Sequence, residues 1–279
     1  MPSALIGSLL AFCAAFAAAA GARAQPSYGS EIPPPNVIAQ LDRLAPQRPG
    51  TVDLYAIIVG GDGMQDVFGR EVAQVRRVLE ERFDATGRIV TLVNTRASPE
   101  PEATLRSLAY ALKGVAAKMD RDEDVLLLHL TTHGGSNHVL VLDHPQLELY
   151  GLSARYLKAL IDQSGIRYRV VVVSACYSGA FVAPLANPNA LVITAASANR
   201  QSFGCGKKSP ITEFSKALYL EALQQTRSFP LAARDAMRIV HETELAQGRK
   251  HSYPQMRLGA ALEEPLKNLE QRLANGSGR

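Results

Sequence analysis

Five near-continuous apolar runs, each closed by turn-forming residues, constrain this chain more than any other feature. They are DLYAIIVG (53–60), RIVTLVN (88–94), DVLLLHLT (124–131), YRVVVVSA (168–175) and ALVITAAS (190–197). A strand with no polar alternation is one that meets apolar neighbours on both of its faces. The segments between the runs have helical periodicity. In QDVFGREVAQVRRVLEERF (65–83), Val67, Val72, Val75, Val78, Leu79 and Phe83 share one face. A second amphipathic helix is expected over 101–119, started by Pro101, and a third over 152–164. Further helices are expected over 211–226, 230–246 and 262–274. The pieces HVLVLD (138–143) and QLELYG (146–151) read as a short hairpin-like excursion. Strands alternating with helices in this way predict an α/β fold: a mostly parallel sheet, covered on both faces, with right-handed crossovers.

The ends of the chain read differently. Residues 1–24, MPSALIGSLLAFCAAFAAAAGARA, are apolar and Ala-rich. They finish in Ala22-Arg23-Ala24, which has the small residues of a signal-peptidase site, so cleavage is expected after Ala24. The expected location is periplasmic or secreted. No later segment has the roughly 18 apolar residues of a membrane-spanning helix, so no stable membrane insertion is expected after cleavage. Residues 25–50 are rich in Pro and polar residues and read as a linker or loosely attached arm, with one short helix near Val37–Leu44. One domain then spans 51–279. Net charge is +4, with no basic stripe to mark a nucleic-acid surface.

In a parallel sheet, ligands sit beyond the carboxyl ends of the strands. His133 follows the third apolar run and Cys176 follows the fourth, so both belong to that edge. A thiol beside an imidazole is the minimum equipment of cysteine nucleophilic catalysis. Gly134 and Gly135 follow the histidine and leave room for a carbonyl to approach the backbone. The N–H groups of Gly134 and Cys176 are the expected donors to an oxyanion, Cys176 standing at a strand-to-helix turn. The turn after the first strand, through residues 60–66, reaches the same edge.

The segments AIIVGGDG, LLLHLTTHGG, VVVVSACYSG and VITAASANRQSFGC together cover residues 53–220 roughly. In that order they resemble the caspase–legumain clan of cysteine peptidases. Within the clan, the chain resembles the legumain-like C13 family, which includes the GPI-transamidase catalytic subunit. The resemblance implies a caspase-like three-layer α/β/α sandwich. It implies Cys176 as nucleophile, His133 as general acid/base, and a peptide or protein as substrate. It puts Asp66 where the family can orient its histidine; the competing reading of Asp66 is a helix N-cap. It also implies that Arg70, Ser174, Gln201, Ser202 and Phe203 line the substrate pocket, with Cys205 where relatives also carry Cys. In an Asn-selecting pocket of this family an acid stands two residues before the nucleophile and another after the pocket loop. Here those places hold Ser174 and Lys216, with Glu213 nearby, so Asn selectivity does not carry over.

Other readings stay beside this one. The cysteines left after signal removal are Cys176 and Cys205, and in an oxidising compartment they could form a disulfide on a non-catalytic scaffold of the same fold. No Gly-x-Ser-x-Gly elbow follows a strand, which disfavours a serine hydrolase. His129 alternates with Leu128 and Leu130 and reads as a core histidine; His138 and His144 read as loop residues. No metal site and no cofactor are expected.

Overall fold

The computed structural model describes residues 35–206 and 209–276. The expected signal segment, its cleavage point and the first part of the 25–50 arm lie outside the described residues. The chain opens with α1 (Pro35–Asp42), β1 (Leu54–Gly60), α2 (Asp66–Phe83), β2 (Ile89–Val93), α3 (Leu105–Lys118) and β3 (Val125–Thr131). Two short strands follow, β4 (Val139–Leu140) and β5 (Leu152–Ser153), then α4 (Ala154–Ser164) and β6 (Tyr168–Ser174). A 3₁₀ turn (Ser178–Phe181) leads into α5 (Val182–Leu185) and β7 (Ala190–Thr194). Next, α6 (Glu213–Ser215) passes through a π-helical stretch (Lys216–Ala222) into α7 (Leu223–Gln225). The last elements are α8 (Phe229–Ala246), β8 (Gln255–Leu258) and α9 (Glu263–Gly276).

The main sheet has the order β2-β1-β3-β6-β7-β8. All its pairings are parallel except that of β8, which runs antiparallel to β7. Each apolar run sends alternate side chains to opposite faces. From β1, Leu54, Ala56 and Ile58 pack against α2, the π-helical stretch, α8 and α9. Tyr55, Ile57 and Val59 pack against α1, α3 and α4. The result is the expected three-layer α/β/α sandwich. Among the described residues no helix is long and apolar enough to cross a membrane.

Four local expectations are revised. The described part of the 25–50 segment is docked rather than loose. Val37 and Leu44 are buried, and the Gln40 amide donates to the Thr91 carbonyl (2.9 Å) while accepting from the Thr91 N–H (2.8 Å). That side chain mimics a peptide unit and occupies the open edge of β2. The helix expected from Pro101 starts at Leu105, because Thr104 supplies the cap: its hydroxyl accepts from the Ser107 N–H at 3.0 Å. In the excursion, β4 pairs with β5 across Val139↔Ser153, so 146–151 is a loop and not the returning strand. Finally, β8 closes the sheet edge after β7, within residues that read as a connection between helices.

At the end of the sheet away from His133, the buried Asp124 accepts from the Asp53 N–H (2.7 Å) and the Asp120 N–H (2.8 Å). Burial pushes its carboxyl up to about 6, against the pull of those two hydrogen bonds; the charges of Asp53 and Asp120 add to the rise. A carboxyl raised in the folded state contributes stability that is full below its unfolded value and lost as pH rises through about 6. Asp124→Asn points an N–H at a backbone N–H and should cost about 1–3 kcal/mol. Denaturant unfolding should give a larger penalty at about pH 5 than at about pH 7.5. A penalty that grows with pH would contradict this assignment.

Candidate active site

Two neighbouring strands set the site. In the β3–β6 pairing Thr131 stands opposite Ser174. His133 and Cys176 each lie two residues further on, so they leave the sheet side by side, where strands are about 4.8 Å apart. The Thr132 N–H continues the pairing to the Ser174 carbonyl at 3.3 Å. Gly134 then lies directly on the Cys176 backbone: a Cβ there would fall 1.9 Å from the Cys176 carbonyl oxygen. Among the described residues, neither the Gly134 nor the Cys176 N–H donates to a protein acceptor.

The His133 loop is held from below. Its carbonyl accepts from the Val141 N–H (2.9 Å), and the Gly135 N–H donates to Val139 (3.0 Å). The Phe68 ring meets the imidazole edge-on at 5.0 Å. The Gln65 side-chain amide lies 2.6 Å from Nε2 and holds that edge of the ring. Asp62, which is buried, brings Oδ2 to 3.7 Å from Nε2. Its other oxygen accepts from the Met64 N–H at 2.6 Å, which fixes the carboxylate. The Asp62 loop is pinned by Gly61 and Gly63, which exchange backbone bonds with Asp143 (2.9 and 3.0 Å). A Cβ at Gly61 would meet the Val141 carbonyl at 2.7 Å, so the loop can lie this close only with glycine.

Asp66, the residue expected to orient the histidine or to cap α2, does neither. It is exposed in the first turn of α2, and the N-cap position is Gln65. The carboxylate facing His133 is Asp62, four residues earlier in the same turn.

Cys176 is half-buried and free, as is Cys205, so the disulfide weighed against catalysis is not formed. The Ser202 N–H points at Cys176 Sγ from 3.3 Å, and the Ser202 carbonyl lies 3.6 Å from it. Tyr177, next in sequence, adopts left-handed φ of 57° and donates its N–H to the Arg200 carbonyl at 2.7 Å. The loop after β7 is thereby drawn over the thiol. Burial pushes the Cys205 thiol up, and the nearby Cys176 adds to this.

The expected pocket residues divide. Ser202 lies on the thiol, Gln201 is exposed beside the Tyr177 hydroxyl (3.5 Å), and Phe203 lies under the Arg249 guanidinium, 5.0 Å from its ring centroid. Arg70 reaches the same loop further on, donating to the Ser209 carbonyl at 2.6 Å. Ser174 does not line a pocket. It is buried, with its hydroxyl 2.9 Å from Thr212 Oγ1 and 3.1 Å from Ser215 Oγ. Lys216 points outward in a pair with Glu221 (2.8 Å). The acid after this loop is Glu213, paired with Arg249.

A family model for the peptidase C13 family matches residues 102–263. Among solved structures, the chain is similar to caspase-1 from Spodoptera frugiperda, at 13% identity and a TM-score of 0.51, over 78% of this chain and 92% of that one. It is also similar to pro-sf-caspase-1, at 14% identity and a TM-score of 0.52, over 78% and 97% of the two chains. At such identities the likeness concerns the fold. No curated protein matches the sequence.

Proposed function

This chain belongs to the peptidase C13 family and is a cysteine-type peptidase, and from that premise we propose that it is an exported endopeptidase working through Cys176 and His133. The observation that carries this reading is the register that leaves His133 and Cys176 adjacent, with Gly134 against the Cys176 carbonyl. His133 takes the thiol proton and Cys176 Sγ attacks the scissile carbonyl carbon. The oxyanion accepts from the Gly134 and Cys176 N–H groups, each worth on the order of 3 kcal/mol in the transition state. Collapse expels the amine, which carries away the proton held on His133, and leaves a thioester on Cys176. Water, deprotonated by His133, then releases the acid and restores the thiol. An amine in place of water would give ligation from the same thioester. Asp62 stabilises the transient imidazolium, and Gln65 fixes the ring orientation. Export rests on the composition of residues 1–24.

The test is digestion of a peptide library by the intact protein, read by mass spectrometry, before and after alkylation with iodoacetamide. Cleavage at a recurring motif that alkylation of Cys176 abolishes is the expected result. Absence of cleavage, or cleavage that survives complete alkylation, would refute the reading.

A further inference from the structure

Beneath Cys176 lies a buried polar cluster that plays no part in the chemistry just described. Its centre is Glu71, wholly buried on α2. Oε1 accepts from Ser215 Oγ (2.6 Å) and lies 3.0 Å from His129 Nε2; Oε2 accepts from the Thr212 N–H (3.0 Å). With Nε2–H given to Glu71, His129 Nδ1 accepts from the Tyr219 hydroxyl at 3.1 Å. Burial alone would raise the Glu71 carboxyl, but the hydrogen bonds from His129, Ser215 and Thr212 hold it below its ordinary value. Burial, then the charge of Glu71, pushes the Tyr219 phenol well above its ordinary value, so it remains an O–H donor.

These contacts join the segments from which the site is built. His129 lies on β3 before His133, and Ser174 lies on β6 before Cys176. Thr212 closes the loop that covers the thiol, and Ser215 and Tyr219 belong to the helix that follows. From Thr212 the connection to the thiol is short. The adjacent Glu213 N–H donates to the Phe203 carbonyl (3.1 Å), and Ser202, next to Phe203, lies on Cys176 Sγ. Glu71 has no exposed surface and cannot itself touch a substrate.

We propose that Glu71 is a positioning residue for substrate binding: by holding the Thr212 N–H, with His129 and Ser215 locking its carboxylate, it sets the placement of Ser202 and Phe203 against Cys176. A charged acceptor is suited to this because three donors converge on it and a neutral amide can satisfy only some of them. The role concerns the covering loop and leaves the thiol and His133 as they are. It rests on the peptidase reading only for its kinetic consequence.

The test compares wild type with Glu71→Gln, which keeps size and shape but turns an N–H toward one of the donors. Each protein is assayed well below its melting temperature. On a peptide that the wild type cleaves, KM should rise about tenfold, the equivalent of one charge-assisted hydrogen bond, with kcat little changed. Alkylation of Cys176 by iodoacetamide should not slow, because the loop that loosens is the one lying over the thiol. Hydrogen exchange should accelerate in peptides spanning 197–215 and stay unchanged in β3 and β6. Tyr219→Phe, which removes only the outer donor, should shift KM and exchange in the same direction by a smaller factor, and it carries the test if Glu71→Gln does not fold. Unchanged exchange over 197–215 in the folded variant would overturn the proposal, and so would a loss confined to kcat or a parallel fall in alkylation rate. If the wild type cleaves no peptide, the peptidase reading fails while the exchange experiment still decides the role of Glu71.

Discussion

Cys176→Ala should leave a folded protein with no measurable peptide cleavage, a loss of at least about 10⁴-fold in kcat/KM. The half-buried side chain makes one notable polar contact, with the Ser202 N–H, so the change should cost no more than about 1 kcal/mol of stability. His133→Ala should lose a comparable factor, because the thiol then has no base and the leaving amine no acid. The effects should not add: the double variant should be no worse than either single one, since groups acting as a unit fail together. The same series decides between the two carboxylates of the turn after β1. Asp62→Asn should lower kcat/KM by about tenfold through weaker support of the imidazolium. Asp66→Asn, at an exposed helix start, should be close to wild type. Activity retained in Cys176→Ala would sink the mechanism, and a reversed order of the two aspartates would sink the role given to Asp62.

How far the sequence carries is best judged residue by residue. Every parallel strand was legible, because a strand covered on both faces must be apolar throughout, and such runs are hard to mistake. The shared edge of His133 and Cys176 followed from that; the adjacency of β3 and β6 did not, and the strand pairing supplies it. The short edge β8 was not legible: Gln255–Leu258 is only partly buried and has no periodicity to read. The docking of α1 was hidden as well, since it depends on one glutamine reaching the backbone of β2 across 51 residues. Asp66 and Asp62 lie in one turn, and sequence spacing could not say which carboxylate faces inward; the Asp143 pairing decides it. Glu71 did leave a signal. Val67, Glu71, Val75 and Leu79 recur at fourfold spacing along the buried stripe of α2, and an acid in such a stripe must find partners inside. Those partners, His129, Thr212 and Ser215, come from distant parts of the chain. The pairing of Glu213 with Arg249 is likewise a product of folding that spacing does not encode.

Gly134→Ala should be nearly as damaging as loss of a catalytic group, although it removes no functional atom. The added methyl would sit 1.9 Å from the Cys176 carbonyl oxygen and 3.0 Å from its carbon. Real Cβ atoms do not approach a backbone oxygen so closely, and neither partner is a flexible side-chain tip. One of the two strand ends must therefore retreat by about 1 Å, a displacement that in a catalytic site costs on the order of 10²-fold. The retreat also carries the Gly134 N–H away from the oxyanion, which brings the expected loss in kcat/KM to about 10²–10³-fold. Stability should fall by about 1–3 kcal/mol, as for an overpacked core site. Gly135→Ala is the control. Its methyl would meet Asn137 Oδ1 at 2.4 Å, the far end of a side chain that can turn aside, and activity should stay near wild type. Kinetics and thermal melts on the pair separate the alternatives. Equal, mild effects would mean that the Gly134–Cys176 contact is not what aligns the thiol with its oxyanion donors. A large loss at Gly134 alone would tie catalysis to the one place where the two strand ends touch.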